Sequence, residues 1–424
     1  MKYNALYARF LNVLKKSACQ VDVRFASSRR QDHDEYGGHR PYNTLPFFDQ
    51  SGQTIRMHLS KQWLAGLALG VFSLSAQADI TVHDIEGRDV TLEKPAEHIV
   101  LAEGRQLIAL SLLDKNPAHW LLGWGSDMKR SPELYEIYHK RAPQLDDLPI
   151  VGDGPGPGSI SVEKIISMNP DAVVLSRSQI PVSQGQELMH QLDAAGIPVV
   201  FIDFATDPLD DTVPSLRALG TLLGREDQAE RYISFYEKKR QAVLDRVKVV
   251  PEADRPTVMI EAHAGMNECC NSPGQGSFDY FAKRLNVDNI GADVLKGKSG
   301  RIDPEYVLTR DPDVYIATGG GYLRRVNGLV LGPDVSDREA MQSLKHILER
   351  PLIGHLSAVE NGRVHGLYHH LINTPLNILV LEEMAKWSYP DRFQDIDAHR
   401  TLEEINEHYI SDPFTGSLWI DLKG

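Results

Sequence analysis

The chain has 424 residues, a formal net charge of −13, 42% hydrophobic and 24% charged residues, and three cysteines. An apolar content of this order excludes a chain disordered as a whole, and the length leaves room for two or three domains. The acidic balance disfavours nucleic acid and anionic lipid surfaces as partners, while leaving the sign of any local pocket open.

Residues 1–56 mix charges with Ser, Asn and Gln without sustained apolar periodicity, as in Ser27-Ser28-Arg29-Arg30-Gln31-Asp32, and no domain is expected there. Met57 then opens the pattern of a secretory signal: a basic Lys61, an apolar run from Trp63 to Leu74, and Ala76-Gln77-Ala78. An apolar run of about a dozen residues falls short of the roughly 20 that a spanning helix needs. Export to the periplasm is therefore expected, with residues 57–78 cleaved and the mature protein starting at Asp79. That placement makes residues 1–56 a non-native or dispensable extension from an early start codon. The residue directly after the cleavage site is Asp79 and not cysteine, so a soluble rather than lipid-anchored form is expected. Cleavage removes ten basic and five acidic side chains, which takes the formal charge from −13 to −18.

In the mature part, strand-like runs at His98–Leu101, Trp120–Gly123, Ala172–Leu175, Val199–Asp203, Thr257–Glu261, Val314–Ala317 and Arg363–Leu367 alternate with helical stretches, the pattern of an α/β protein. One unit occurs twice. Residues 161–176 align without gaps on residues 303–318, matching Glu163 to Glu305 and Pro170-Asp171 to Pro312-Asp313. Each copy reads as a short amphipathic helix with the acid in its first turn, a stop at Pro, and a β-branched buried strand. Duplication of a lobe is the expected source, although helix-Pro-Asp-strand units also recur within single α/β domains. Between the halves, Pro208–Leu223 reads as one helix ended by Gly224, and Glu226–Val247 as a longer one. The second spans roughly 33 Å at 1.5 Å per residue, enough to brace two lobes or to run along one sheet. The expected fold is α/β: two Rossmann-like lobes with mainly parallel central sheets, joined by one long interlobe helix. The expected boundaries are 79–206 for the N-terminal lobe, 207–249 for the helical linker and 250–424 for the C-terminal lobe.

Three segments, Val151 to Val174, its second copy at Asp303 to Tyr315, and Pro351 to Val364, follow one another around a central helix in an order that resembles the class III periplasmic binding proteins. The resemblance covers nearly the whole mature chain. Ile99 to Gln106, the Cys269-Cys270 pair and Leu329 to Pro333 resemble the branch described as iron-compound binding. What this implies is a monomeric receptor that holds an iron chelate, a ferric siderophore, in the cleft between its lobes. The chelate passes to an ABC permease and ATPase complex in the inner membrane. Molybdate or another oxyanion, haem and cobalamin are the alternative cargoes of such proteins. Members commonly carry a glutamate near the start of the first helix of each lobe, which pairs with permease arginines. Here the nearest acids are Glu103, several residues early, and Asp279.

Ligands of open parallel α/β sheets bind beyond the carboxyl ends of the strands. That rule collects Arg105, Trp124, Cys269, Cys270 and Arg177, then Tyr322, Arg324 and Arg325 behind a glycine triplet, and finally Tyr368, His369 and His370. All except Arg177, which reads as structural, are expected to bind ligand in a cationic, aromatic cleft suited to an anionic chelate. Plainer roles stand beside these: a partner for a carboxylate of its own lobe for Arg105, a core aromatic for Trp124, a solvated turn for Arg324 and Arg325. Neighbouring histidines on an extended segment point to opposite faces, so His369 and His370 are not expected to share an ion. No protein metal site and no cofactor are expected, iron entering only within the chelate. Cys269 and Cys270 would pair with each other, pair between molecules or stay free in an oxidising compartment.

No Gly-x-Ser-x-Gly, His-Glu-x-x-His or Walker pattern occurs, and Asp153-Gly-Pro-Gly-Pro-Gly158 is too rich in proline for a phosphate cradle. An enzyme is not expected. The rival reading is a metalloenzyme with zinc or iron held among His263, Glu268, Cys269, Cys270 and His370, although adjacent cysteines make awkward tetrahedral ligands.

Overall fold

The computed structural model describes residues 47–48, 54–55, 79–152, 159–177 and 182–422. The chain divides into two compact units, residues 1–75 and 76–424. In the first, β1 (Phe47–Phe48) pairs antiparallel with β2 (Thr54–Ile55). The signal-like segment 57–78, the rest of residues 1–56 and the run 153–158 lie outside the described residues.

The second unit opens with a hairpin, β3 (Ile80–His83) and β4 (Asp89–Leu92). Five strands then form a wholly parallel sheet in the order β7-β6-β5-β8-β9: β5 (Ile99–Leu101), β6 (Leu121–Gly125), β7 (Ile150–Gly152), β8 (Ala172–Ser176) and β9 (Val199–Ile202). Every residue of β5, β8 and β9 is buried. Continuous apolar strands of this kind require helices on both faces. The helices of this half are α1 (Leu107–Ser111), α2 (Pro132–His139), α3 (Val162–Met168), α4 (Val182–Ala194) and α5 (Pro208–Leu223).

After α5, Gly224 takes the left-handed conformation at φ 61° and frees the chain to reverse into α6 (Glu226–Val247), 22 residues long. Both helices have the bounds the sequence predicts. Helix α5 packs on β3 and β9, and α6 lies against α5 on one side and a helix of the second lobe on the other, so α6 is the crossover.

The second sheet follows the order β12-β10-β14-β16-β18. Its strands are β10 (Thr257–Glu261), β12 (Asp288–Asn289), β14 (Val314–Gly319), β16 (Val364–Tyr368) and β18 (Trp419–Asp421), parallel except for the edge pair of β16 with β18. Two small ladders flank it, β11 (Asn271–Pro273) with β13 (Ser299–Arg301) and β15 (Gly332–Pro333) with β17 (Gly416–Ser417). The principal helices here are α7 (Phe278–Arg284), α8 (Pro304–Arg310), α9 (Asp337–Leu348), α10 (Asn377–Ser388) and α11 (Ala398–His408). Among the described residues, no helix is long and apolar enough to cross a membrane.

The repeat seen in the sequence is one structural device used twice. Ser161 caps α3 by accepting from the Lys164 amide, and Asp303 caps α8 by accepting from the Glu305 and Tyr306 amides. Asn169 and Asp311 end these helices in the left-handed region, at φ 49° and 39°, each followed by proline. The next aspartate then secures the neighbouring strand. Asp171 Oδ2 accepts from the amides of Glu97 and His98 ahead of β5, and Asp313 Oδ2 accepts from the amide and hydroxyl of Thr257 at the start of β10.

Candidate ligand-binding cleft

The loops beyond the carboxyl ends of both sheets converge. From the first lobe come residues after β5, β6 and β9, and from the second come those after β10, β14 and β16. The turn after β5 depends on two glycines in close approach. A Cβ on Gly104 would run into the Gly125 carbonyl oxygen, and one on Gly125 into that of Ala102. With the backbone so placed, Asp127 accepts from the amides of Gly104 at 2.7 Å and Arg105 at 3.0 Å.

Arg105 is the hub. Its Nη2 donates to Glu103 Oε1 at 2.7 Å, and its Nη1 donates to His370 Nδ1 at 3.2 Å. Burial opposes the guanidinium charge, but Glu103 and Asp127 outweigh it and hold the group above its ordinary pKa. Burial, reinforced by the Glu103 charge, pushes the Asp127 carboxyl up. Because a guanidinium has only donors, His370 Nδ1 must accept, and its proton sits on Nε2, which donates to Ser131 Oγ at 2.6 Å. Burial first, then the charge of Arg105 and of His263, keeps His370 well below the usual histidine pKa.

On the opposite wall, His263 holds a left-handed backbone at φ 54° and pairs through Nδ1 with the Tyr322 hydroxyl at 2.6 Å. The Thr318 hydroxyl accepts the His263 amide and meets His369 Nδ1 at 2.9 Å. The rings of His263 and His369 lie 4.0 Å apart between centroids. Burial depresses both imidazoles, His369 furthest because His263 and His370 flank it. Tyr368 is buried and donates to Glu133 Oε1 at 3.3 Å, a further link between the lobes.

These walls enclose a cavity of about 460 Å³. Glu103, Arg105, Asp127, Arg130, Ala205 and Thr206 line it from the first lobe; His263, Asn271, Phe278, Lys298, Ser299, His369 and Asn373 are among the residues lining it from the second.

Of the residues singled out in the sequence, Arg105 and His369 line the cavity, and His370, Tyr322 and Tyr368 form the network around it. Trp124 lies elsewhere, fully buried in the core with its ring 6.1 Å from that of Tyr135. Arg324 turns to the exposed carboxylate of Glu339, and Arg325 is exposed. Cys269 and Cys270 are buried with their sulfurs in bonding contact, and their loop is tied down where Arg301 Nε donates to the Cys269 carbonyl. Arg177 is structural, donating to Glu86, Asp211 and the Ile85 carbonyl.

Neither acid expected to face a permease is presented to solvent. Glu103 is 5% exposed and committed to Arg105; Asp279 is 2% exposed and held by Lys283 and Asn289. Glu163 and Glu305 of the repeat, by contrast, are both exposed in the first turns of equivalent helices. Sequence reasoning also missed Asp127, Thr206 and Lys298, each of which reaches the cavity from a turn without a distinctive motif. Among the described residues, no group of three or more His, Cys, Asp or Glu side chains is arranged to hold a metal ion, so the five residues weighed for a metalloenzyme do not converge on one.

A model of the family described as periplasmic binding protein matches residues 131–369. The chain is 23% identical over 322 residues to an uncharacterized ABC transporter substrate-binding lipoprotein, YvrC, of Bacillus subtilis, covering 74% of this chain and 87% of that protein. It is 24% identical over 374 residues to the molybdate-binding protein MolA of Haemophilus influenzae, covering 82% and 95%. Among solved structures it is similar to the TroA-like periplasmic binding protein FepB of Veillonella parvula, with a TM-score of 0.73 and 27% identity over 81% of this chain and 100% of that one.

Proposed function

This chain belongs to the periplasmic binding protein family, and from that premise we propose that it captures a ferric siderophore between its lobes and hands it to an ABC importer of the inner membrane. The observation that carries the reading is the cavity of about 460 Å³ at the carboxyl ends of two facing sheets, lined from both lobes by groups that hydrogen-bond and stack. Arg105 and His369 are assigned to ligand contact, with His370, Tyr322 and Tyr368 positioning them. The lobes are assigned to residues 79–206 and 250–424, with 207–249 as the linker, and residues 57–78 are assigned to export. Docking is assigned to Glu163 and Glu305, one acid on each lobe, as the pairing of receptor acids with permease arginines requires.

Native mass spectrometry of protein purified from its own periplasm tests the cargo. A mass increment equal to an intact ferric chelate is expected. A bare ion, or no adduct after saturation with chelates, would discard the siderophore assignment. An oxyanion is the second reading, favoured by the likeness to the molybdate-binding protein, and an increment equal to molybdate would establish it in place of the first.

A further inference from the structure

A single exposed aliphatic side chain is ordinary on a protein surface, so where such residues fall matters more than that they occur. Ile166 is 40% exposed on α3 and Leu308 is 46% exposed on α8. The gap-free alignment of the repeat sets 166 on 308 just as it sets 163 on 305. In each helix the aliphatic follows the acid by three residues, which puts the two on one face, while Ile165 and Val307 are buried on the other. The carboxylates of Glu163 and Glu305 are exposed and have no side-chain partner among the described residues.

Other outward positions of these helices have tasks inside the fold or differ between the copies. The Ser167 and Thr309 hydroxyls bond carbonyls of their own helices, and Asn169 and Asp311 make the left-handed ends. Lys164 aligns with Tyr306, and Met168 with Arg310. Lys164 donates to the Ile150 carbonyl, whereas Tyr306 and Arg310 both engage Asp293. What both copies keep without a use inside their lobe is the acid and the aliphatic.

Both pairs lie toward the cleft end of their lobe. Helix α3 starts beside β7, where the Ser161 amide donates to the Val151 carbonyl, and ends near the start of β5, where Asp171 holds Glu97 and His98. Helix α8 starts just after β13, whose Ser299 lines the cavity, and ends where Asp313 holds the start of β10. One partner laid over the cavity mouth can meet both faces at once.

We propose that Ile166 and Leu308 are docking residues. Each enters an apolar socket beside the cation that receives the neighbouring acid, and because the two faces match, the partner is a membrane permease built from two copies of one chain. The inference rests on the assignment of Glu163 and Glu305 to docking and adds the contact that those acids lack. Exposed ion pairs are weak and screened by salt, whereas an aliphatic side chain taken out of water contributes at any ionic strength.

The test uses the secreted protein in its own cells, with Ile166 or Leu308 replaced by photoactivatable benzoylphenylalanine. Irradiation is expected to trap the same peptide of the same membrane chain from both positions. Adducts to two different chains would overturn the matched partner, and no membrane adduct from either position would overturn the proposal as a whole. Ile166→Ser and Leu308→Ser are then titrated against the trapped permease, purified with its ATPase in nanodiscs, at about 0.1 M and about 0.5 M salt. Each is expected to weaken binding by about fivefold at both salt concentrations, the two factors agreeing within about twofold, while Glu163→Gln and Glu305→Gln weaken it chiefly at the lower one. Unchanged cargo affinity shows that the variants are folded, since neither position lines the cavity. If the serine variants dock normally and the glutamine variants do not, this inference falls while the docking assignment stands; if neither set alters docking, the assignment itself falls.

Discussion

The proton on His370 is fixed by its neighbours. Nδ1 accepts from Arg105 and Nε2 donates to Ser131, so only the neutral ring satisfies both. The same burial acts on His369 and, less strongly, on His263. A histidine whose native pKa lies below its unfolded value of about 6.5 weakens the fold as pH falls, because the unfolded chain takes the proton first. The sign follows: this contribution to stability is intact above pH about 6.5 and is lost as pH drops toward the depressed native values, at up to about 1.4 kcal/mol per pH unit for each histidine. Thermal unfolding should therefore occur at lower temperature at pH 5 than at pH 7, and His370→Gln, which can still accept and donate, should flatten that dependence. An unchanged slope in the variant would show that the ring is not held neutral. Arg105 and His369 were legible because strand ends in a parallel sheet are where ligands collect. The same rule collects Trp124, whose ring is in the core, since position along a strand does not tell which side of the sheet a ring enters. The compensating acids Glu103 and Asp127 were illegible as a pair because they meet only through the tertiary fold, across the close approach of Gly104 and Gly125.

At the level of elements, β10 delivers Glu261 into a buried cluster. Arg350 grips both its carboxylate oxygens, at 2.8 and 2.7 Å, and also meets the Tyr315 hydroxyl of β14 at 3.1 Å. Arg350→Met would leave Glu261, whose side chain is 3% exposed, with a buried charge and no cation, at a cost of about 3–5 kcal/mol. Denaturant titration measures this, and adding Glu261→Gln should recover a large part of the loss. No recovery would mean that Arg350 acts through packing alone. The helices α5 and α6 and the two-fold repeat could be read directly from the sequence because apolar period, capping residues and Pro-Asp punctuation agree there. The small ladders β11–β13 and β15–β17 could not, since strands of two or three residues containing Gly or Pro are too short for a period of two to register.

For the molecule as a whole, the duplicated unit places Glu163 on one lobe and Glu305 on the other. Exchanging both for glutamine should leave cargo affinity unchanged, because neither lines the cavity, while cargo-stimulated ATP hydrolysis by the reconstituted importer falls about tenfold, the scale of rim charges that steer and register a complex. Full stimulation by the double variant would remove these acids from docking. Away from the cleft, a buried amide also fastens the lobes to the connecting helices. Asn377, fully buried at the start of α10, accepts from the Tyr236 hydroxyl of α6 and donates to Thr212 Oγ1 of α5, while Tyr232 of α6 donates to the Pro375 carbonyl nearby.

A knot of that kind governs how far the two lobes can part. Opening the lobes would have to part this buried amide cluster or the bonds that Arg105, Ser131 and Glu133 make across the cleft to His370 and Tyr368, each a hydrogen bond costly to leave unmade.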